Sequence, residues 1–252
     1  MFIDTHCHLT DRHCADGDAE RAIANAMAVG VGVMICPTAD PADIPGALKL
    51  AQAHDNIFCT IGIHPEYTDA NPDEFLTEDI LSDQRVVGIG EIGLDYHYGA
   101  DTRMQQIEMF ERQLAIAKKC ALPVAIHTRE AEEDTAHILT GDVCGVMHCY
   151  TSSWNLAKKM LDRGFMFSAS GILTFKNSGE IRETFAKIPI DKIVIETDAP
   201  YCAPVPYRGK PCEPAMVIET ARVLADIKGV DLAELEHILE ANTKRLYPKI
   251  KL

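Results

Sequence analysis

Strand-like apolar runs alternate with amphipathic helical segments along almost all of this chain, and that alternation leaves few folds open to it. The runs fall at residues 2–3, 31–36, 57–63, 86–91, 124–127, 144–148, 165–168 and 192–196. Helical patterns occupy residues 18–30, 40–54, 72–81, 102–120, 129–139, 154–163 and 178–187, with two more at 215–227 and 232–246. The clearest is 102–120, where Ile107, Phe110, Leu114 and Ala117 repeat at helical spacing. Strands separated by helices run parallel and are joined by right-handed crossovers. Eight such units predict an α/β fold closed as a (β/α)8 TIM barrel, a single domain over residues 1–252. The alternative is an open doubly wound sheet, but no G-x-G-x-x-G follows the first strand to support a dinucleotide site. Residues 200–214 are rich in proline and lie between the last strand and the last helices, so they read as an active-site loop.

In such a barrel the functional side chains stand at the C-terminal ends of the strands. His6 and His8 follow the first strand, and residues two apart on an extended backbone share a face. With Asp4 beside them they form half of a chelating site. The third strand ends in His64, the fourth in Glu91, the fifth in His127, the sixth in His148 and the eighth in Asp198. One histidine on a strand is ordinarily a core residue. Several imidazoles and two carboxylates converging on one mouth instead make a site for divalent metal. Asp95 is placed to hydrogen-bond a ligand imidazole, and Glu196, two before Asp198, either to do the same or to be a ligand itself. Asp198 is a candidate to orient or deprotonate a water, or a ligand alone, and the sequence leaves both open. His13, His54, His137 and His237 are expected to be solvated, and His97 is undecided.

The formal net charge is −14, which does not favour binding along long duplex DNA. Cations nevertheless gather at the predicted mouth. Arg129 follows the fifth strand, Arg208 and Lys210 lie in the loop after Asp198, and His64 adds a donor. Arginine offers phosphate two hydrogen bonds at once and lysine a point charge, so this group suits a phosphodiester reached at its end. Tyr201 and Tyr207 are candidates to stack on an unpaired base. The nine cysteines include no C-x-x-C pair and read as reduced thiols. No basic stretch followed by an apolar one opens the sequence, and no apolar run approaches the roughly 18 residues of a membrane span. A cytoplasmic protein with no membrane partner and no obligate protein partner, able to act as a monomer, is the expectation.

The motifs taken together resemble the TatD family of metal-dependent hydrolases, within the amidohydrolase-like barrels. They are Phe2-Ile3-Asp4-Thr5-His6-Cys7-His8-Leu9, Gly62-Ile63-His64-Pro65 and Gly88-Ile89-Gly90-Glu91-Ile92-Gly93-Leu94-Asp95-Tyr96. Leu122-Pro123-Val124-Ala125-Ile126-His127-Thr128-Arg129, His148-Cys149-Tyr150 and Ile195-Glu196-Thr197-Asp198-Ala199-Pro200-Tyr201 follow. The last are Tyr207-Arg208-Gly209-Lys210-Pro211-Cys212-Glu213-Pro214-Ala215 and Asn242-Thr243-Lys244-Arg245-Leu246. The resemblance implies two divalent metal ions bridged by Glu91. His6, His8 and Asp198 would complete the first position, and His127 and His148 the second. It implies deoxyribonuclease chemistry of the 3′→5′ exonuclease type, with DNA ends as substrate. Hydrolysis of a small acyl, lactone or amide substrate on the same centre is the alternative. Imidazole-rich ligands favour Zn, Mn, Fe, Co or Ni over Mg, whereas nucleases of this kind are generally described as Mg-dependent, so the metal stays open, with Mg, Mn and Zn the candidates. Wider relatives bridge their metals with a carbamylated lysine on the fourth strand; here Glu91 stands there. The family usually has Asn at the position of Cys212, in the loop expected to face phosphate.

Overall fold

The computed structural model describes residues 1–10, 14 and 18–251. Its strands are β1 (Phe2–Asp4), β2 (Val31–Pro37), β3 (Ile57–Thr60), β4 (Val86–Asp95), β5 (Val124–Arg129), β6 (Gly145–Met147), β7 (Met166–Ala169) and β8 (Ile193–Ile195). They pair in sequence order, each parallel to the next. The seam between β8 and β1 is bridged by backbone hydrogen bonds. Thr5 N donates to Ile195 O at 3.0 Å, Asp198 N to His6 O at 2.9 Å and His8 N to Ala199 O at 2.8 Å. The expected (β/α)8 barrel is the observed one.

The helices ring this sheet. The first half carries α1 (Ala19–Ala28), α2 (Ile44–Ala53), α3 (Pro72–Phe75), α4 (Glu78–Leu81), α5 (Tyr96–Gly99) and α6 (Arg103–Cys120). The second half carries α7 (Glu132–Ile138), α8 (Trp154–Asp162), α9 (Gly179–Lys187), α10 (Val217–Lys228) and α11 (Leu232–Leu246). The single helix expected at 72–81 is two short ones, because Leu76 leaves the helical region at ψ 58°. β4 runs four residues past Glu91, since Asp95 still pairs with Arg129 of β5. That pairing also holds β5 extended through Arg129, so α7 begins later than its sequence pattern suggests.

The barrel interior is layered, as the two-residue period of strands demands. Ile3, Val33, Phe58, Val87, Ala125, Val146, Met166 and Val194, one from each strand, form an apolar cluster with Leu246, Tyr247 and Ile250. The Lys249 ammonium meets the carbonyl of Val86, the first residue of β4, at 2.8 Å, so the segment after α11 lies across the N-terminal end of the barrel. Two residues further along the strands the interior turns polar, with Thr5, Thr60, His127, His148, Ser168 and Glu196. The helices cover the outer faces of the strands in a second, larger apolar cluster. Among the described residues no helix is long and apolar enough to cross a membrane.

Candidate metal centre

Glu91 lies at the middle of the cluster and is buried. Its two oxygens face different partners. Oε2 is 3.3 Å from His6 Nε2 and 3.8 Å from His8 Nε2. Oε1 is 2.8 Å from His127 Nδ1, 3.4 Å from His148 Nε2 and 3.7 Å from His64 Nε2. Asp198 Oδ1 closes the first side, 3.8 Å from both His6 Nε2 and His8 Nε2. The ligand atoms of His6, His8 and Asp198 therefore gather within 4.8 Å of one another, and so do those of His64, Glu91 and His127. His64 was expected to meet substrate, and its ring stands in the cluster too, farther from Glu91 than His127, His6 and His148 and slightly nearer than His8. Asp4 turns away from the imidazoles. Its carboxylate accepts from Thr197 N at 2.9 Å and Thr197 Oγ1 at 2.5 Å, tying β1 to β8.

Five imidazoles around buried Glu91 and partly buried Asp198 are poorly matched to an apolar interior without a cation. His6 and His148 stack with ring centroids 3.7 Å apart, and buried His6 Nε2 has no hydrogen-bond partner among the described residues. Burial lowers the His6 pKa and the neighbouring His148 lowers it further. Burial alone would raise Glu91, but the surrounding imidazoles of His148, His64, His127 and His6 hold it well below the usual carboxylate range. Burial pushes Asp198 well above that range. His127 and His148 rise to about 9 and about 10: burial opposes this, and the carboxylates around them outweigh it. The mixed nitrogen and oxygen donors, unpartnered nitrogen and strong charge coupling fit divalent metal.

The surrounding side chains fix the rings. His127 Nε2 lies 3.1 Å from Asp95 Oδ2, and Asp95 Oδ1 also accepts from His97 N and Tyr98 N, at 2.9 and 3.0 Å. His148 Nδ1 lies 2.9 Å from Glu196 Oε1. Such partners set the tautomer and basicity of a ligand imidazole. Asp95→Asn is expected to weaken metal binding about 10- to 100-fold, read as the metal concentration giving half-maximal activity. An unchanged midpoint would remove Asp95 from the centre.

Two residues escaped the sequence reading. Gln106 and Gln113 are buried in α6 and clamp the turns after β4 and β3. Gln106 accepts from Asp95 N and donates to Asp95 O, at 2.8 and 2.9 Å. Gln113 does the same to Ile63, the neighbour of His64, at 2.9 Å in each direction. The buried face of α6 is thus Gln106, Met109, Phe110, Gln113 and Ala117. It is rotated from the predicted stripe, leaving Ile107 and Leu114 half-buried.

At the rim, exposed Arg129 stacks its guanidinium 4.8 Å from the Tyr98 ring, and Arg208 lies 3.9 Å over Phe175. Lys210 is exposed in the same loop as Arg208. Tyr201 is half exposed and meets His8 edge-on at 6.0 Å. Tyr207 packs against the core. Cys212 is buried. His97 pairs with Glu130 and His54 with Glu20, both away from the cluster. His13 lies outside the described residues.

A parallel barrel whose strand ends gather these side chains defines a metal-dependent hydrolase. The family model described as TatD related DNase matches residues 3–248, and the chain belongs to the TatD family. It is 37% identical over 259 residues to the uncharacterized metal-dependent hydrolase YcfH of Escherichia coli K12, covering 98% of this chain and 96% of that one. It is 36% identical over 253 residues to YabD of Bacillus subtilis, likewise an uncharacterized metal-dependent hydrolase, covering 98% and 99%. The crystal structure of the TatD homologue YjjV of Escherichia coli superposes with a TM-score of 0.89 at 28% identity, covering 98% of each chain.

Proposed function

We propose that the protein is a deoxyribonuclease that hydrolyses phosphodiesters at DNA 3′ ends. Two divalent ions, Mg, Mn or Zn, would be held by His6, His8, Glu91 and Asp198 on one side and by Glu91, His127 and His148 on the other. When bound, such ions supply an acidified water and neutralise charge on the phosphoryl oxygens. Asp198, with Oδ1 turned toward both sides of the cluster, takes the proton of the attacking water. Arg129, Arg208 and Lys210 hold the phosphates of the strand, and Tyr201 offers its exposed face to the terminal base. His64 meets the phosphate beside Glu91.

The rim cations carry the phosphate assignment. In a chain of net charge −14, none of the three has a carboxylate partner among the described residues. An amide or lactone would not need them. Arg208→Ala and Lys210→Ala are expected to lower kcat/KM on a single-stranded oligonucleotide about 10- to 100-fold, the cost of a lost charge-assisted hydrogen bond. An uncharged ester substrate should lose little. Equal losses on both substrates would favour the acyl alternative. The direct test is a 5′-labelled single-stranded DNA with metal-stripped protein and added Mg or Mn. Stepwise shortening from the 3′ end is expected, and no cleavage with any metal would overturn the reading.

Metal binding should also carry a pH signature. Ligation needs neutral imidazoles, while His127 and His148 hold protons up to about pH 9 and about pH 10 in the metal-free protein. Affinity should therefore rise from pH 6 to 9, with about two protons released per protein, measurable by calorimetry in buffers of different ionisation enthalpy. The metal-free fold should behave oppositely. The raised pKa values contribute stability that is complete below 6.5 and is lost as pH climbs through about 9 and about 10, so its Tm should fall across that window.

A further inference from the structure

The eight strands pair in sequence order around the barrel, so β4 and β8 stand on opposite sides of it. Tyr98 lies in α5, directly after β4, and Tyr201 lies in the loop after β8. The two rings therefore flank the mouth from opposite sides, with the strand ends that carry the candidate metal ligands between them. Both are exposed, Tyr98 at 67% and Tyr201 at 53%. Tyr98 is nevertheless held in place. Its N–H donates to Asp95 Oδ1 at 3.0 Å, and the other oxygen of that carboxylate lies 3.1 Å from His127 Nε2. Tyr96 Oη donates to Asp134 Oδ2 at 2.5 Å, and His97 Nδ1 lies 2.7 Å from Glu130 Oε1, so the turn is tied to the segment after β5. The His97 ring meets the Tyr98 ring edge-on at 4.6 Å, and the Arg129 guanidinium lies 4.8 Å over it. That guanidinium gives one face to the tyrosine and keeps its N–H groups, which lie in its own plane, for a phosphate.

We propose that Tyr98 and Arg129 form a second nucleotide subsite, which takes a base and phosphate of the retained strand while Tyr201 takes the terminal base. The inference rests on the nuclease reading and adds what lies upstream of the scissile phosphodiester. A ring anchored through its backbone and its neighbours, with a cation on one face and the rest in solvent, is ready to receive a flat group at little ordering cost. Every base offers such a face, so the subsite selects an unpaired strand and not a sequence. With one tyrosine on each side of the centre, the strand is drawn across it. The shortened strand stays on Tyr98 and Arg129 when the terminal nucleotide leaves.

The test uses 5′-labelled single-stranded oligonucleotides, each carrying one abasic residue at a successive position from the 3′ end, and the metal-loaded protein. The rate of the first cleavage is measured for each. In the wild type kcat/KM should fall about 5- to 150-fold with the terminal base missing, and by a similar factor at one internal position. Tyr98→Ala should abolish the internal penalty and keep the terminal one. Tyr201→Ala should do the reverse. Tyr98→Phe and Tyr98→Trp should restore the internal penalty, which a general disturbance of the turn would not. An internal penalty that survives in Tyr98→Ala would overturn the subsite while the nuclease reading stands. So would a wild type that shortens the intact strand but is indifferent to internal abasic residues. A wild type that leaves the intact strand uncut would overturn both.

Discussion

Glu91→Ala is expected to lose at least about 10²- to 10³-fold in kcat/KM on single-stranded DNA, together with most of the bound metal. The reason lies in how one carboxylate is shared. Its Oε2 faces His6 and His8 and its Oε1 faces His64, His127 and His148, so removing it deprives both sides of the cluster at once. What remains is four buried imidazoles, partly buried His127 and Asp198, whose own carboxyl burial pushes toward the neutral form. Glu91→Gln keeps the shape and one oxygen but loses the charge, and should retain more metal than Glu91→Ala while still losing most activity. Metal content and turnover are read on the same samples. A Glu91→Ala protein that holds its full complement of metal would remove the bridging role.

The largest loss of stability is expected from Gly93→Ala, on the same strand. Gly93 pairs with His127 across the β4–β5 ladder and has φ +144°, a region that side chains rarely enter. A Cβ there would lie 1.9 Å from the His127 carbonyl oxygen, and backbone cannot step aside as a flexible side chain can. The cost should be about 3 kcal/mol or more, the upper range for overpacking combined with backbone strain. Gly229 provides the comparison. Its φ is +66° with nothing within 4 Å of an added Cβ, so Gly229→Ala should cost only about 1 kcal/mol. Urea midpoints of the two variants decide the matter, and equal midpoints would mean that the ladder relaxes around the added methyl. Because Gly93 faces His127, the variant should also weaken metal binding where it does fold.

The barrel and most of the cluster were legible because both rest on a two-residue period. Once Ala125 and Val146 are read as inward-facing, His127 and His148 follow on the same side. Asp198 is a different case. It was expected at the end of the eighth strand, but β8 ends at Ile195 and Asp198 is brought to the cluster by an irregular turn with φ 58°, not by strand parity. Asp4 misled for the mirror reason: its proximity in sequence to His6 says nothing about which way it points. The glutamines of α6 were invisible because hydrophobic periodicity counts an amide as solvent-facing. An amide carries one donor end and one acceptor end, the complement of a peptide edge, so it can be buried wherever a turn leaves a peptide unpaired. Gln106 and Gln113 stand seven residues apart and so share a face, and that spacing is the signal the sequence carries. His64 was assigned to substrate as a donor at the end of the third strand, and only the fold shows how near its ring stands to Glu91.

The floor of the barrel carries a consequence for how the protein is made. Tyr247 and Ile250 fill the interior beneath the polar layer, and both belong to the stretch synthesised after every strand. A ribosome delivers His6 and His8 first and Asp198 only after three-quarters of the chain, while the residues that seal the interior come later still. The nascent chain thus exposes a ready pair of imidazoles throughout its synthesis, with no enclosed cavity to select among ions. Discrimination between metals belongs to the closed barrel, once Tyr247 and Ile250 have packed into its interior.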